Sequence, residues 1–292
     1  MSRNCVFTQV FVKLQKMKGT LSSTHLNSIR TLRISSVISN DINNEVPSNT
    51  SHQQYDMFYP GHISTSLVQK SLLAAGSGIA CLLNPARDDM LCALGETTGP
   101  PALKYIHSKM MSDSVGRQIL EEKPVINTTT INLEKLGSLP DGTFGKEYWT
   151  FLKTNGFSPD ARRPVNFIDD AELMYVMLRY RQCHDLVHTL LGMPPNMLGE
   201  VAVKWFEAIQ TRLPMCISAA LFGPIRLGPK HRRKYFDIYL PWAIRSAYNS
   251  KCLMNVYFEK HWEQDITEFR QELNLEPAPV PLIKTGKNTK TK

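Results

Sequence analysis

One uninterrupted segment of 21 residues, Ala171–Leu191, constrains the fold of this chain more than any other feature of its sequence. The segment contains neither Gly nor Pro. Glu172 lies three residues after Asp169, which predicts a capping box with Asp169 as the N-cap. Gly192 is suited to end the helix in a left-handed conformation, and Pro194 cannot continue it. The sequence therefore predicts one long helix over Ala171–Leu191.

This helix carries potential metal ligands on its apolar face. At 3.6 residues per turn, the apolar side chains and two histidines share a sector of roughly 100°, and these are Leu173, Met177, Tyr180, His184, Val187, His188 and Leu191. Histidines four residues apart stand one turn above each other, so both can reach one ion. Asp185 lies about 100° round the helix. It either closes on the metal from the flank or orients a ligand histidine.

A further carboxylate follows the helix after a short break. Eleven residues separate His188 from Glu200, and they include Gly-Met-Pro-Pro-Asn before the next helix begins. Two neutral imidazoles and two carboxylates would balance a 2+ charge, and mixed nitrogen and oxygen ligands suit Zn²⁺, Fe²⁺ or Mn²⁺. We predict a metal site at His184, Asp185, His188 and Glu200. A buried polar network of the same residues is the alternative.

Positive charge is concentrated at the two ends of the chain. The formal net charge is +8, but the first 40 residues hold six basic and no acidic residues, and the last nine hold four lysines. Without these, 24 basic and 26 acidic residues remain. The body of the chain is therefore nearly neutral, and we expect no nucleic-acid partner. No run of about 18 apolar residues predicts a transmembrane helix. The six cysteines form no C-x-x-C pair, which predicts free thiols in a reducing compartment.

The domain organisation follows from composition along the chain. Residues 1–54 begin basic, free of acid and rich in Ser and Thr, which is typical of an organellar transit peptide followed by a linker. An ordinary disordered basic tail is the alternative. Residues 55–276 are dominated by helical patterns, including one over Leu253–Leu273, and predict a single all-α domain. Residues 125–133 form a short strand or an extended connector. Residues 277–292, rich in Pro and then Lys, predict a disordered tail.

Three basic residues flank the predicted metal ligands in sequence, and they are Arg179, Arg181 and Lys204. They could neutralise an anionic group of a substrate. Ion pairs within the protein, or solvated surface positions, are the alternative explanation for such residues.

The ligand motif and several other segments resemble one protein family. The pattern H-D-x-x-H, followed after eleven residues by Glu, is similar to the motif of one family. This is the ubiquinone (coenzyme Q) biosynthesis protein family named as the fourth coenzyme Q gene product. Other similar segments occur in order over residues 55–275, and they are Pro85-x-Arg87-Asp88, Gly95-Glu96-Thr97-Thr98-Gly99, Gly116-Arg117, Gly142-Thr143-Phe144-Gly145, Arg179-Tyr180-Arg181, Gly199-Glu200-Val201 with Lys204 and Glu207, and Leu213-Pro214-Met215. The resemblance implies a mostly helical fold, with zinc bound by His184, Asp185, His188 and Glu200.

The resemblance also implies an activity and a location. The family's assigned activity is that of a decarboxylase, a carboxy-lyase that removes the C1 carboxyl of 4-hydroxy-3-methoxy-5-polyprenylbenzoate, with a possible coupling to C1 hydroxylation. A non-catalytic scaffold that binds prenyl lipid and partner enzymes is the alternative. Members lie peripherally on the matrix side of the mitochondrial inner membrane, in a complex with other ubiquinone-biosynthesis enzymes. A homo-oligomer is compatible with the sequence. The catalytic residue stays open, because Asp185 or Glu200 could deliver a proton only if the metal does not fully engage it.

A different class shares part of the motif. Adjacent His and Asp also form the core of HD-type metal phosphohydrolases, which need a His upstream and an Asp downstream on separate helices. His107 and Asp237 could supply them. His188 and Glu200 would then have no role, so this alternative explains less of the sequence.

Overall fold

Helices make up the regular structure of the part of the chain that is described. The computed structural model describes residues 59–84 and 87–279, and no strand occurs in these ranges. The α-helices are α1 (Leu67–Leu83), α2 (Asp88–Thr98), α3 (Pro100–Met111), α4 (Ser114–Glu122), α5 (Leu133–Ser138), α6 (Phe144–Asn155), α7 (Ala171–Leu191), α8 (Met197–Thr211), α9 (Pro214–Phe222), α10 (Pro229–Lys234), α11 (Leu240–Asn249) and α12 (Ile266–Glu272). The predicted all-α class is confirmed. Residues 125–132 are a connector with a turn at 128–130, and Leu133 already belongs to α5.

Helix α7 is the central element, and it begins and ends where the sequence predicts. Its first half packs into one apolar cluster with α3, and its second half packs into another with α6, α8 and α11. Every residue from Arg179 to Leu191 is buried. The prediction of a single apolar face was therefore too narrow, because a helix buried all round belongs to the interior of the domain.

The caps of α7 explain its bounds. Asp170 is the N-cap, and its carboxylate accepts hydrogen bonds from the amides of Glu172 and Leu173 at 2.9 and 3.1 Å. The predicted cap, Asp169, is wrong by one residue, because its carboxylate instead pairs with Lys70 of α1. Gly192 ends the helix with φ of +67°, as predicted.

The predicted helix over Leu253–Leu273 is wrong. This region contains two 3₁₀ turns, Leu253–Asn255 and Phe258–Lys260, and only then the short helix α12. The buried Arg179 guanidinium of α7 bonds to the carboxylate of Glu259 and to the carbonyl of Val256, which holds the turns against α7. Long-range partners thus override the local helical pattern.

Several general predictions can be compared with the structure of the described residues. The five cysteines there form no disulfide, as predicted, and they are Cys81, Cys92, Cys183, Cys216 and Cys252. None of the helices in residues 59–84 and 87–279 has the length and apolarity needed to cross a membrane. The amide of Ala278 donates to the carbonyl of Leu191 at 2.9 Å, so the chain still contacts the domain just past residue 276. The predicted leader, residues 1–54, lies outside the described residues.

Candidate metal centre

Helices α7 and α8 bring three of the four predicted ligands together. One ligand atom each from His184, His188 and Glu200 lies within 4.8 Å of the others. One carboxylate oxygen of Glu200 is 3.5 Å from Nε2 of His184, and the other is 3.5 Å from Nε2 of His188. The imidazole rings stand nearly perpendicular, with centroids 4.7 Å apart. The structure therefore brings these three side chains together, and their binding of a metal stays a prediction.

The break between α7 and α8 determines where Glu200 lies. Asn196 caps α8, because its side-chain oxygen accepts the amide of Gly199 at 2.9 Å and its carbonyl accepts the amide of Glu200 at 2.7 Å. Gly199 is required at its position, since a Cβ there would lie 1.9 Å from the carbonyl oxygen of Pro194. The first turn of α8 can thus approach the end of α7 closely, and it carries Glu200 with it.

Both imidazoles are oriented by acceptors at their other nitrogen. Nδ1 of His188 lies 3.0 Å from the carbonyl oxygen of Met193, and Nδ1 of His184 lies 2.6 Å from a carboxylate oxygen of Glu207. A carbonyl only accepts, so the hydrogen of His188 resides on Nδ1 and its Nε2 is left with a lone pair. This arrangement is typical of metal-binding histidines.

The facing atoms lack hydrogen-bond partners within the protein. Nε2 of His188, both carboxylate oxygens of Glu200 and Oδ1 of Asp185 are buried and have no such partner. Buried polar atoms rarely stay unpaired, because desolvation without a partner is costly. Two nitrogens and a carboxylate converge here without a donor between them. This donor set fits a divalent cation such as Zn²⁺, Fe²⁺ or Mn²⁺.

Asp185 is buried but lies outside this group of three. Its Oδ2 accepts a hydrogen bond from the guanidinium of Arg162, which comes from the loop before α7. Its place as a fourth ligand remains a prediction. Sequence analysis did not identify Arg162, because nothing in its local pattern indicates that a residue 23 positions before Asp185 contacts it.

A second buried carboxylate supports the site from behind. Glu207 lies on the same face of α8 as Glu200 and Lys204, since these positions follow each other at four and three residues. It accepts hydrogen bonds from Lys204 at 2.6 Å and from the hydroxyl of Tyr180 at 2.8 Å. The residue was noted only as part of a family segment, although the spacing of charged residues along α8 could have indicated its role.

The electrostatics of the centre favour an added cation. Burial opposes the charge of Glu207, but Lys204 and His184 outweigh it and hold the pKa of Glu207 below its usual range. Burial likewise opposes the charge of Glu200, while His188 and His184, in their protonated forms, hold the pKa of that carboxyl well below its usual range. Glu207 has a lysine beside it, whereas Glu200 faces two imidazoles. A metal ion that takes the place of the protons on these imidazoles would balance the charge of Glu200.

The flanking cations are not available for a substrate. The structure shows the alternative explanation, ion pairs, for all three residues: Arg179 with Glu259, Arg181 with Glu96, and Lys204 with Glu207. The pair of Arg181 and Glu96 also holds the loop that carries Arg162, because Glu96 accepts the amides of Asn166 and Phe167. These residues thus support the site, but they do not pair with the atoms of Glu200 and His188 that lack a hydrogen-bond partner.

The residues of an HD-type centre do not assemble. Asp237 is exposed on the surface, and its Oδ2 lies 3.4 Å from Nε of Arg233, with which it forms an ion pair. Neither it nor His107 belongs to the group of potential ligands found in the described residues. The geometry therefore gives no support to the phosphohydrolase alternative.

Comparison with known proteins agrees with the motif. The family described as coenzyme Q (ubiquinone) biosynthesis protein Coq4 matches residues 59–279. This chain belongs to the Coq4 family. It is 51% identical over 235 residues to the mitochondrial ubiquinone biosynthesis protein COQ4 homolog of Mus musculus, covering 80% of this chain and 88% of that protein. It is also 51% identical to the Homo sapiens homolog, covering 76% and 84%.

A solved structure shares the Coq4 fold seen here. It is a crystal structure from Nostoc punctiforme, described as that of a ubiquinone biosynthesis protein, and it matches with a TM-score of 0.57 at 20% identity. The match covers 72% of this chain and 98% of the Nostoc chain. At this identity the likeness concerns the fold alone. Membership of the Coq4 family places the chain in ubiquinone biosynthesis, and its relatives are named as mitochondrial proteins.

Proposed function

We propose that this chain is a metal-dependent lyase of ubiquinone biosynthesis. Its substrate would be 4-hydroxy-3-methoxy-5-polyprenylbenzoate, from which it removes the C1 carboxyl. His184, His188 and Glu200 would hold Zn²⁺ or another divalent ion, with Asp185 as the fourth ligand that the family resemblance implies. The observation that carries the proposal is the buried set of unpaired nitrogen and oxygen atoms between α7 and α8.

The chemistry of the substrate explains why such a centre is useful. Loss of CO₂ from an aryl carboxylate leaves an unstable carbanion unless the ring carbon gains a proton first. The 4-hydroxyl assists that protonation by allowing a dienone-like ring. A bound divalent ion supplies positive charge that polarises substrate oxygens and stabilises developing negative charge. The balanced change replaces the carboxyl by hydrogen and releases CO₂.

The side chains of the protein have distinct roles in this proposal. Glu207 and the carbonyl of Met193 hold the Nδ1 hydrogens of His184 and His188, which keeps both Nε2 atoms directed at Glu200. Oδ1 of Asp185 is buried and without a hydrogen-bond partner, and it could pass a proton only if the metal does not engage it. Replacement of the carboxyl by hydroxyl instead of hydrogen would need an oxidant such as dioxygen.

One observation favours a second function. His188 is fully buried and Glu200 is only 2% exposed, and this enclosure suits a metal that stabilises the fold. On this alternative, the chain is a non-catalytic scaffold that binds prenyl lipid and other enzymes of the pathway. A catalytic site must instead open to the ring of its substrate. Turnover by the metal-loaded protein separates the two functions.

The proposal includes a peripheral position on the matrix side of the mitochondrial inner membrane. Helix α1 exposes a row of large apolar side chains, and these are Leu67, Val68, Leu72, Ile79, Leu82 and Leu83. The guanidinium of Arg226 bonds to the carbonyl of Leu82, which brings the loop before the basic helix α10 next to this row. Apolar side chains beside basic ones suit the surface of an anionic membrane. Other enzymes of ubiquinone biosynthesis are the proposed protein partners.

The test measures metal and turnover on the same preparation. The purified chain is loaded with Zn²⁺, its bound metal is quantified, and it is given 4-hydroxy-3-methoxy-5-prenylbenzoate with and without oxygen. His184→Ala and Glu200→Gln remove a ligand and a charge. The control is His261→Ala, because that imidazole stacks on Phe269 with a centroid distance of 4.5 Å and belongs to no ligand group.

We expect the wild-type chain and the His261 variant to release CO₂ with one metal bound per chain. The two ligand variants should lose metal and activity together. Stoichiometric metal without product, in both the presence and the absence of oxygen, would support the scaffold. Equal activity in His184→Ala and wild type would refute the assignment of the site.

A further inference from the structure

A buried polar cluster lies behind His184, on the side away from Glu200. We call it the Glu207 cluster, and it consists of Tyr180, Lys204 and Glu207. One carboxylate oxygen of Glu207 is 2.6 Å from Nδ1 of His184, and the other accepts from Lys204 at 2.6 Å and from the Tyr180 hydroxyl at 2.8 Å. All these side chains are buried. Three polar groups in the interior thus converge on one carboxylate.

The distances determine which nitrogen of His184 carries the hydrogen. A carboxylate accepts at 2.6 Å, so it requires a hydrogen on Nδ1. Nζ of Lys204 also lies near Nδ1, but at 3.4 Å, and it has closer acceptors in Glu207 and Tyr180. The shorter contact, between Nδ1 and Glu207, is therefore the hydrogen bond of this nitrogen. In the neutral imidazole, Nε2 of His184 then keeps its lone pair, 3.5 Å from Glu200.

We propose that Glu207 is a positioning residue that keeps the hydrogen of His184 on Nδ1 and so presents Nε2 to a divalent cation. Lys204 and Tyr180 hold the carboxylate of Glu207 at the required place. This inference rests on the metal site of the proposed function but not on any particular reaction. Hydrogen-bonded carboxylates of this kind orient metal-binding imidazoles and increase their basicity.

The two ligand histidines are therefore held in different ways. His188 donates to a backbone carbonyl, that of Met193, which no side-chain substitution removes. His184 depends on the side chain of Glu207. We expect substitutions at Glu207 to weaken metal binding through His184 alone, while His188 keeps its orientation.

The variants must remove the buried charges in pairs. Removal of Glu207 alone would leave the ammonium of Lys204 buried without its partner, and the protein could fail to fold. The double variant Lys204→Met with Glu207→Met removes both charges and the carboxylate that accepts from Nδ1 of His184. The double variant Lys204→Met with Glu207→Gln removes the charges but keeps an amide oxygen that can accept from Nδ1. Replacement of a buried ion pair by apolar side chains is often tolerated.

A matched control removes a second ion pair, formed by Arg179 of α7 and Glu259 of the turn packed against it. Arg179 is fully buried and lies five residues before His184, while Glu259 is partly buried. The hydrogen bonds of the Arg179 guanidinium go to Glu259 and to the carbonyl of Val256, not to a ligand side chain. The control is Arg179→Met with Glu259→Met. It removes the same number of charges, one of each sign, so it measures the effect of lost ion pairing by itself.

The experiment measures Zn²⁺ affinity by chelator competition on the full chain, and the protonated nitrogen of His184 by ¹⁵N nuclear magnetic resonance of the metal-free wild type. We expect a hydrogen on Nδ1. We expect affinity to fall about 10- to 100-fold in the Met-Met variant, to recover in large part in the Met-Gln variant, and to stay near wild type in the control.

Two results would overturn the inference. One is a metal-free wild type whose His184 hydrogen resides on Nε2. The other is a Met-Met variant whose affinity equals that of wild type or falls no further than that of the control. Both readouts are independent of turnover, so a chain that binds Zn²⁺ as expected but releases no CO₂ would fail only the proposed function.

Discussion

Gly199 connects the fold to the candidate metal centre, and its replacement by Ala tests that connection. A Cβ at this position would lie 1.9 Å from the carbonyl oxygen of Pro194 and 3.1 Å from its carbonyl carbon. Carbon–oxygen contacts are normally no shorter than about 3.3 Å, so the two segments must separate by roughly 1.4 Å. The obstacle is the backbone carbonyl of Pro194, which cannot rotate away as a side chain can.

The size of the effect follows from two opposing terms. Forcing an added methyl into a filled space costs about 1–3 kcal/mol. Ala in place of Gly inside a helix returns about 0.5–1 kcal/mol. These terms leave a net cost between about 0 and 2.5 kcal/mol, and because the obstacle is backbone we expect Gly199→Ala to lower the free energy of unfolding by about 1–2 kcal/mol. In a domain of this size that corresponds to roughly 2–8 °C in Tm. Glu200 is the next residue, so its carboxylate should move relative to His188 and Zn²⁺ affinity should fall.

The control for this prediction is another helical glycine. A Cβ on Gly76 of α1 would meet nothing within 4 Å, so Gly76→Ala should raise the free energy of unfolding by about 0.5–1 kcal/mol and leave metal binding unchanged. Urea denaturation and chelator competition measure the two quantities. The reasoning is refuted if Gly199→Ala is as stable as wild type and binds Zn²⁺ equally well.

Three further predictions concern other parts of the chain. Glu96→Ala leaves Arg181 buried without its partner, so we expect a loss of about 3–5 kcal/mol in urea denaturation, against less than about 1 kcal/mol for the exposed pair broken by Glu263→Ala; similar losses would contradict this. Burial raises the pKa of the Cys216 thiol from 9.0 to about 12, so its contribution to stability is present below pH 9.0 and lost as the pH rises through 12. Iodoacetamide at pH 8 should modify this thiol only after unfolding, and modification of the folded protein at the rate of a free thiol would show the opposite. Leu72→Glu, at an exposed side chain of α1, should reduce co-sedimentation with anionic vesicles at least about tenfold, whereas unchanged sedimentation would count against membrane contact through α1.

The sequence predicts α7 well because its determinants are local. Both bounds of the helix follow from an absence of Gly and Pro inside it and from Gly192 after it. What the local pattern missed is the burial of its polar face. Arg179 and Arg181 find carboxylates 80 and 85 residues away along the chain, in Glu259 and Glu96. A periodicity of 3.6 residues contains no information about such partners, so it assigns these arginines to solvent.

The candidate site likewise combines residues that local sequence spacing predicts with contacts that it does not predict. His184, His188 and Glu200 were predicted because their spacing on two consecutive helices is enough to bring them together. Glu207 could have been predicted, since it continues the stripe of charged residues along α8. The carbonyl of Met193 could not, because a backbone acceptor has no signature in the residue type.

The eleven residues between His188 and Glu200 form a structural unit as well as a spacer. Gly192 turns the chain, and the carbonyl of Met193 then faces back to orient His188. Pro194 presents the carbonyl that only a glycine at position 199 can approach. The same short segment therefore ends one helix, begins the next, orients one ligand and delivers another. For this reason a change in the length of this segment, or at Gly199, should separate Glu200 from the two histidines.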